Sequence, residues 1–453
     1  MASATKIRNG ASLLLANLCR LLLAAVFIVS GFVKAVDPKG LLYKLQEYAA
    51  VFSLDGTVLS DLLMPLAIVL SAVEFVLGVM LLMGTNKRFS TVVTMLLMML
   101  FTPWTLVLAI WNPVQDCGCF GDAFRLSNWA TFFKNVVLLL LASFLWVKRV
   151  RIIRFVSTRG SWLVTLFALL YIGTVEYYGI NHLPLMDFRP FAVGADLNEG
   201  VRDIPAEYRL LYRYEKDGNV LELESEGAPD STWNYLGTRN DVISEGVPAR
   251  IQDFWFESME NGGDISEKLL SDSVYTCLLV IERVETADES RVDKINDIYD
   301  YCVDNNMPFY ALTSSLDDEV ALWRKQTGAE YPFYAADNLL LKTMVRSNPG
   351  LLVLKEGRVV AKWNMNDVPE LYGDEQPCDT LPEKQRMVSM VEGAADSGNM
   401  HRLFNSLFML LVPLMMISLM DILLRQRRKA ARNDAPVPAD HDTETENNGQ
   451  TIN

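Results

Sequence analysis

Apolar residues gather in six long blocks: Ala11–Val36, Leu62–Met83, Thr91–Trp111, Trp129–Val147, Trp162–Tyr178 and Leu403–Leu424. A membrane-spanning helix needs about 20 consecutive apolar residues, so the pattern predicts six spans. The fifth block is the shortest and the most aromatic. The first is interrupted only by Asn17, Arg20 and Lys34. It is too long for a cleaved signal peptide and more spans follow at once, so it is read as a helix that stays in the membrane.

Between the fifth and sixth blocks the pattern changes. The prolines of Leu183-Pro184-Leu185-Met186-Asp187-Phe188-Arg189-Pro190 suit an extended exit from the membrane. Tyr208–Tyr214 and Val220–Ser225 read as strands joined by a turn at Asp217-Gly218, and Trp233–Glu257 as further short β structure. From Tyr275 strand and helix alternate: Cys277–Ile281, then a helix over Arg291–Asn305, a strand over Pro308–Leu312, a helix over Asp318–Gln326 and a strand over Pro332–Tyr334. Leu351–Leu354 and Val359–Trp363 close a hairpin around Glu356-Gly357. Alternation ending in a hairpin predicts an α/β domain with a mixed sheet. Beyond the last block, Asn433–Asn453 is polar and without apolar periodicity, and a disordered tail is expected.

Charge orients these blocks. Basic residues cluster at Thr85-Asn86-Lys87-Arg88, in Lys148–Arg159 and at Arg425-Gln426-Arg427-Arg428-Lys429. Cytoplasmic loops carry the excess of lysine and arginine, so these three loops are expected in the cytosol together with both termini. The formal net charge is −14, and about −20 of it lies between His182 and Met400, which leaves the remainder net basic. The expected division is a cytosolic N-terminus (1–10), a four-span bundle (11–150), a fifth span (162–182), an external β-rich linking region (183–263), an external α/β domain (264–400), a sixth span (403–424) and a cytosolic tail (425–453). The expected setting is a bacterial inner membrane with the large domain periplasmic, where disulfides are permitted. An acidic chain with no basic stripe on a soluble domain argues against nucleic acid as a partner. With only His182, His401 and His441, little room is left for a histidine-rich metal site or a Ser/His/Asp apparatus.

The candidate chemistry lies in Asp116-Cys117-Gly118-Cys119-Phe120-Gly121-Asp122, a short polar connection between the third and fourth spans. Joining residues i and i+2 closes a small ring that cannot relax into preferred disulfide geometry. A strained disulfide has a raised reduction potential and tends to pass its bond to another thiol. Gly118 gives the backbone freedom that closure requires. The bland alternative is two reduced, packed cysteines or separate bonds to distant partners. Metal binding is disfavoured, because no histidine lies nearby and only one acid flanks each side.

Several local patterns in the first four spans resemble the DoxX/MauE family of small membrane proteins. They are Ser30-Gly31-Phe32-Val33-Lys34-Ala35-Val36-Asp37-Pro38, then Glu74-Phe75-Val76-Leu77-Gly78 ahead of Gly84, then the Cys-Gly-Cys-Phe-Gly run. The resemblance covers about a third of the chain. It implies a four-helix membrane bundle and, through MauE, maturation of a disulfide-rich methylamine dehydrogenase subunit, or, through DoxX, quinone-coupled sulfur oxidation. The region Asp264–Asn366 resembles a thioredoxin-like fold, with Ser347-Asn348-Pro349-Gly350 matching that family's cis-proline loop. Where thioredoxins carry CxxC this chain has Ile281-Glu282-Arg283-Val284-Glu285-Thr286, so the domain is expected to be redox-inactive by that mechanism. The whole layout resembles DoxX-like proteins of the Bacteroides lineage.

Other residues join the candidate list. Glu74 is a carboxyl inside an apolar span and needs a partner or water; Arg20 and Lys34 can serve, as a proton or quinone site or as a helix lock. Trp104 and Trp111 are candidate quinone contacts, with interfacial packing as the alternative. Glu176 is read as interfacial, Met95–Met99 as lipid-facing or packing, and Cys19 as inert. Cys378, in an exposed polar stretch, is the next candidate thiol. Cys277 and Cys302 are placed mid-strand and mid-helix, with a structural disulfide between them left open. The leading functional expectation is a membrane thiol:disulfide relay that acts on an exported client through Cys117 and Cys119, with quinone as the candidate acceptor. The competing one is a non-enzymatic scaffold or maturation factor that binds an exported partner through the thioredoxin-like domain.

Overall fold

The structure is a computed structural model and describes residues 2–53, 57–114, 116–124, 126–216, 218–224, 230, 232–368 and 399–433. Cys378 and the expected tail from 434 onward lie outside the described residues. Among the described residues, six helices are long and apolar enough to cross a membrane: α1 (Ala2–Val36), α3 (Thr57–Met83), α4 (Lys87–Trp111), α5 (Asn128–Val147), α6 (Ser161–Asn181) and α12 (Asn399–Asn433). The chain is a multi-pass membrane protein. α1 and α3 approach each other closely, and glycine makes that possible. A Cβ on Gly31 would lie 2.5 Å from the Phe75 backbone nitrogen, and one on Gly78 would lie 2.7 Å from that of Ile28. Small residues at such crossings let helix backbones approach in lipid, where apolar side chains gain nothing by leaving one apolar phase for another.

One helix escapes the apolar-block reading. α2 (Pro38–Val51) is too short to span and only weakly amphipathic. Asp37 caps it by accepting a hydrogen bond from the Gly40 N–H at 2.9 Å, and Pro38 occupies its first turn, the arrangement a helix start favours. Glu176 also departs from expectation. It lies near the end of α6 but is turned inward against α3, 4% exposed, accepting from Ser71 Oγ at 2.5 Å. It is therefore a buried carboxyl and not an interfacial one.

Beyond α6 come a short helix α7 (Leu197–Gly200) and a three-stranded antiparallel sheet of β1 (Glu207–Lys216), β2 (Asn219–Leu223) and β3 (Asn234–Ser244), in the order β2-β1-β3. The larger sheet contains β4 (Glu257–Ser258), β5 (Thr276–Ile281), β6 (Phe309–Thr313), β7 (Phe333–Ala335), β8 (Gly350–Lys355) and β9 (Arg358–Asn364), in the order β4-β7-β6-β5-β8-β9. β5, β6 and β7 run parallel, while β8 and β9 are antiparallel additions. The connecting helices are α8 (Ser266–Ser271), α9 (Val292–Asp304), α10 (Asp317–Thr327) and α11 (Asn338–Met344). The parallel β5-α9-β6 unit, extended by α10, β7 and α11 and closed by the β8-β9 hairpin, gives the adjacent strand order β6-β5-β8-β9, a thioredoxin-like arrangement; a cis Asn348–Pro349 bond precedes the hairpin.

Strand alternation gives this sheet two cores. Cys277, Leu279 and Ile281 of β5 face Ile295, Ile298 and Cys302 of α9. Leu278 and Val280 face the opposite layer, where Leu340, Leu341 and Met344 of α11 are joined by Phe191, Leu197, Ile251 and Phe256. The last four belong to the stretch expected to link, so the boundary expected at 263 does not separate two packing units. Only the β1–β3 sheet stands apart, because its strands are largely exposed.

Candidate functional site

The connection between α4 and α5 is closed by Asn128, whose side-chain amide donates to Asn112 Oδ1 and to the Val114 carbonyl, both at 2.8 Å. Within it Gly118 has φ +61°, and a Cβ there would lie 2.8 Å from Lys44 Cγ. The position demands glycine for conformation and for space alike. The Gly121 N–H donates to the Gly118 carbonyl at 3.1 Å, curling the segment so that Cys117 Sγ and Cys119 Sγ come within 2.6 Å.

The two sulfurs are not equivalent. Cys117 Sγ lies 3.3 Å from the Cys119 N–H and 3.6 Å from Thr131 Oγ1. The Cys119 thiol, donating to Cys117, outweighs burial, and with Thr131 and Lys134 it draws the Cys117 thiol down to about 6. The same hydrogen bond, reinforced by burial, pushes Cys119 well above the ordinary thiol range. Thiolate character is thereby concentrated on one sulfur, the property that fits a cysteine for exchange. Lys134 Nζ is held nearby, 4.3 Å from the Phe120 ring centre.

The backbone of the pair is gripped from two sides. Tyr48 of α2 donates its hydroxyl to the Cys117 carbonyl at 2.9 Å, and Lys44 lies 3.4 Å from Asp116. From beneath, Ser30 Oγ of α1 lies 2.8 Å from the Cys119 carbonyl and 2.7 Å from Glu74 Oε2. Lys34 Nζ is 2.7 Å from both Glu74 carboxylate oxygens and 3.1 Å from Ser30 Oγ. Of the two partners expected for Glu74, the structure selects Lys34. Arg20 lies near the middle of α1, about four turns from Lys34, donating to the Ile153 carbonyl and stacked over Phe155 at 5.3 Å. The Ser30 hydroxyl has a single proton and two acceptors within reach, so it can serve Glu74 or the Cys119 carbonyl at any one moment.

The remaining candidates fall elsewhere. Trp104 is met by Tyr48 edge-on at 5.7 Å and by Phe52 at 5.5 Å, while Trp111 is 69% exposed. The crevice beside the thiols, lined by Asp116–Phe120, Phe124 and Leu126, is too narrow for a water molecule. Cys19 is buried. Cys277 and Cys302 are both fully buried, their sulfurs 3.5 Å apart between β5 and α9. Sequence reasoning missed Ser30, Tyr48, Lys44 and Thr131. For Tyr48 and Lys44 the Asp37-Pro38 start signal is available; Ser30 heads the Ser30–Pro38 run that carries the family resemblance, and nothing local marks Thr131.

Comparison with known proteins gives a family match for the membrane bundle. Residues 12–148 match the family described as methylamine utilisation protein MauE. No curated protein matches the chain. Among solved structures, a proposed protein disulfide isomerase from Bacteroides thetaiotaomicron is similar at 17% identity, over 33% of this chain and 89% of its own, with a TM-score of 0.21. An uncharacterized conserved protein from Geobacillus kaustophilus is similar at 12% identity, over 33% of this chain and 84% of its own, with a TM-score of 0.22. The chain thus joins a MauE-like membrane bundle to a thioredoxin-like domain, the latter assigned by its strand order.

Proposed function

We propose that the protein is a membrane-bound thiol:disulfide relay whose exchanging pair is Cys117 and Cys119. The observation that carries this reading is the juxtaposition of the two sulfurs at 2.6 Å in a polar loop, with hydrogen-bond donors and a lysine on Cys117. In the oxidised protein a client thiolate attacks Cys117 Sγ, the Cys117–Cys119 bond breaks, and Cys119 departs and takes a proton. The second client thiolate then attacks the client sulfur of the mixed disulfide and releases Cys117 as a thiolate. The client loses two electrons and two protons; the pair gains both electrons, one proton rests on Cys119 and the other passes to solvent. The lowered Cys117 pKa favours this second step, because a low-pKa thiol leaves faster.

The Lys34–Glu74 pair reaches the Cys119 carbonyl through Ser30, and we assign it the task of holding the loop backbone in place. A quinone would supply a two-electron acceptor; Trp104, flanked by Tyr48 and Phe52 but 38% exposed, and Trp111 are the aromatic side chains that could meet its ring, and no step is routed through it. The client is taken to be an exported protein with a reactive thiol pair, met on the side of the membrane that bears the thioredoxin-like domain.

Trapping tests the relay. In cells, Cys119→Ala should accumulate reductant-sensitive adducts on Cys117 that Cys117→Ala lacks. Absence of adducts from both variants, with both proteins folded and inserted, would remove the relay and favour the scaffold.

A further inference from the structure

Arg346 sits on the connection between α11 and β8, two residues before the cis Asn348–Pro349 bond. Its side chain is 5% exposed and reaches out of the thioredoxin-like domain into the membrane bundle. Nε lies 3.0 Å from Asp37 Oδ2, and Nη2 lies 3.1 Å from Asp122 Oδ2. The guanidinium also stands 5.1 Å from the Tyr43 ring centre. Two carboxylates from separate segments therefore share one buried cation, and a planar fork is the group able to serve both.

These segments are the two supports of the thiol loop. Asp122 is three residues beyond Cys119 and ends the curl that brings the sulfurs together. Asp37 caps α2, and α2 holds the other side of the loop through Tyr48 on the Cys117 carbonyl and Lys44 on Asp116. The grip is reinforced around its rim: Lys39 Nζ donates to the Arg346 carbonyl at 3.0 Å, Tyr43 donates to Glu282 Oε2 at 3.2 Å, and Lys342 lies 3.2 Å from Glu282. Gly40 leaves room for it, since a Cβ there would lie 2.4 Å from Asp37 Oδ2 and 3.0 Å from Arg346 Nη2. Burial alone would raise the Asp37 carboxyl, yet Arg346 holds it below the usual range.

We propose that the thioredoxin-like domain sets the redox behaviour of a thiol pair it does not itself carry, with Arg346 as the positioning residue that clamps both ends of the Cys117–Cys119 loop. Glu282, on the segment where a thioredoxin would carry its own cysteines, joins the same contact, so that edge of the domain serves for docking. The inference rests on the relay reading above. Releasing the clamp lets the loop relax, which eases the strained ring and makes the disulfide harder to reduce.

The test is a glutathione titration of the full-length protein in lipid nanodiscs, following the Cys117/Cys119 peptide by differential alkylation and mass spectrometry. Two glutathione thiols reduce the pair to two protein thiols and yield one glutathione disulfide. Arg346→Gln and Asp122→Asn should each shift the equilibrium about tenfold toward the protein disulfide, about 30 mV for this two-electron couple. Arg346→Lys should recover part of the shift. His182 Nδ1 and Asp367 Oδ1, 2.6 Å apart, form a contact between the end of α6 and the domain that does not touch the thiol loop, so Asp367→Asn should leave the equilibrium unmoved. If Asp367→Asn moves it equally, docking in general and not Arg346 is responsible, and the inference fails. Should Arg346→Gln fail to fold, Asp122→Asn decides alone. A pair that titrates but ignores both variants overturns this inference only, whereas a wild-type pair that never titrates overturns the relay with it.

Discussion

Two pairs of cysteines lie close together among the described residues, and their surroundings differ in exposure and in the polar groups around them. Cys117 and Cys119 occupy a half-buried loop, with a hydroxyl, a backbone N–H and Lys134 acting on the first sulfur. Cys277 and Cys302 are sealed between β5 and α9 among aliphatic and aromatic side chains, where their mutual hydrogen bond, reinforced by burial, pushes the Cys277 thiol far up. Proximity of sulfur to sulfur is common to both pairs. What separates them is partial exposure and a means to stabilise negative charge: Cys117 and Cys119 are half-buried with polar groups on Cys117, whereas Cys277 and Cys302 are fully enclosed.

The comparison breaks most directly by exchanging the roles. Cys117→Ala should abolish oxidation of a model dithiol peptide, a loss of more than about a hundredfold. The Cys277→Ser, Cys302→Ser double variant should retain activity within about twofold and lose only the roughly 1–3 kcal/mol that burying each hydroxyl costs. An inactive but folded double variant would reverse the assignment.

The support beneath the loop comes next. Glu74→Leu leaves the buried Lys34 ammonium without its carboxylate and should destabilise the protein by about 3–5 kcal/mol, as removal of one partner from a buried pair does. Thermal unfolding in nanodiscs reads this. Glu74→Leu combined with Lys34→Met should recover most of the stability but not the exchange rate, separating the helix lock from the service to the Cys119 carbonyl.

A pH series sharpens the contrast between the sulfurs. In the reduced protein the alkylation rate of Cys117 should climb through about pH 6 and level off near neutrality, because its thiolate form dominates above that value. Cys119 and Cys277, both raised, should remain slow across the same range. A Cys117 rate still rising steeply above pH 8 would remove the asymmetry between the loop sulfurs.

The smallest effect is expected at Gly118. Alanine there must adopt φ +61° and displace Lys44 Cγ, at a cost of about 1–2 kcal/mol for the backbone conformation. The change should slow exchange severalfold with little loss of helix content by circular dichroism, and an unaltered rate would show that the curl tolerates a side chain.

Much of this was readable along the chain, because the signals are local. Six apolar blocks gave six helices, since lipid fixes their length. The β-α-β run and terminal hairpin followed from strand and helix periodicity, and Asn348-Pro349 marked the loop before β8. The CxC loop announced itself by two cysteines flanking a glycine between spans. Other parts were less legible. α2 lacks a strong apolar stripe, although Asp37-Pro38 signalled its start. Residues 183–263 looked like a linking region because Phe191, Leu197, Ile251 and Phe256 are scattered, and they became core only when folded against β5 and β8.

The choice of partners belongs to the tertiary structure. Glu74 had two cations to choose from on one helix, and Gly31 and Gly78 decided for Lys34 by letting α1 and α3 close at that level. Glu176 turned inward because Ser71 was there to donate to it. Arg346 carries no local mark, since a single arginine ahead of a proline is ordinary until folding brings Asp37 and Asp122 to it from more than two hundred residues away. Sequence determines where the chain must be apolar, extended or helical, because those demands act between near neighbours. Which buried charge meets which depends on how the finished elements cross, and a one-dimensional pattern does not contain that geometry.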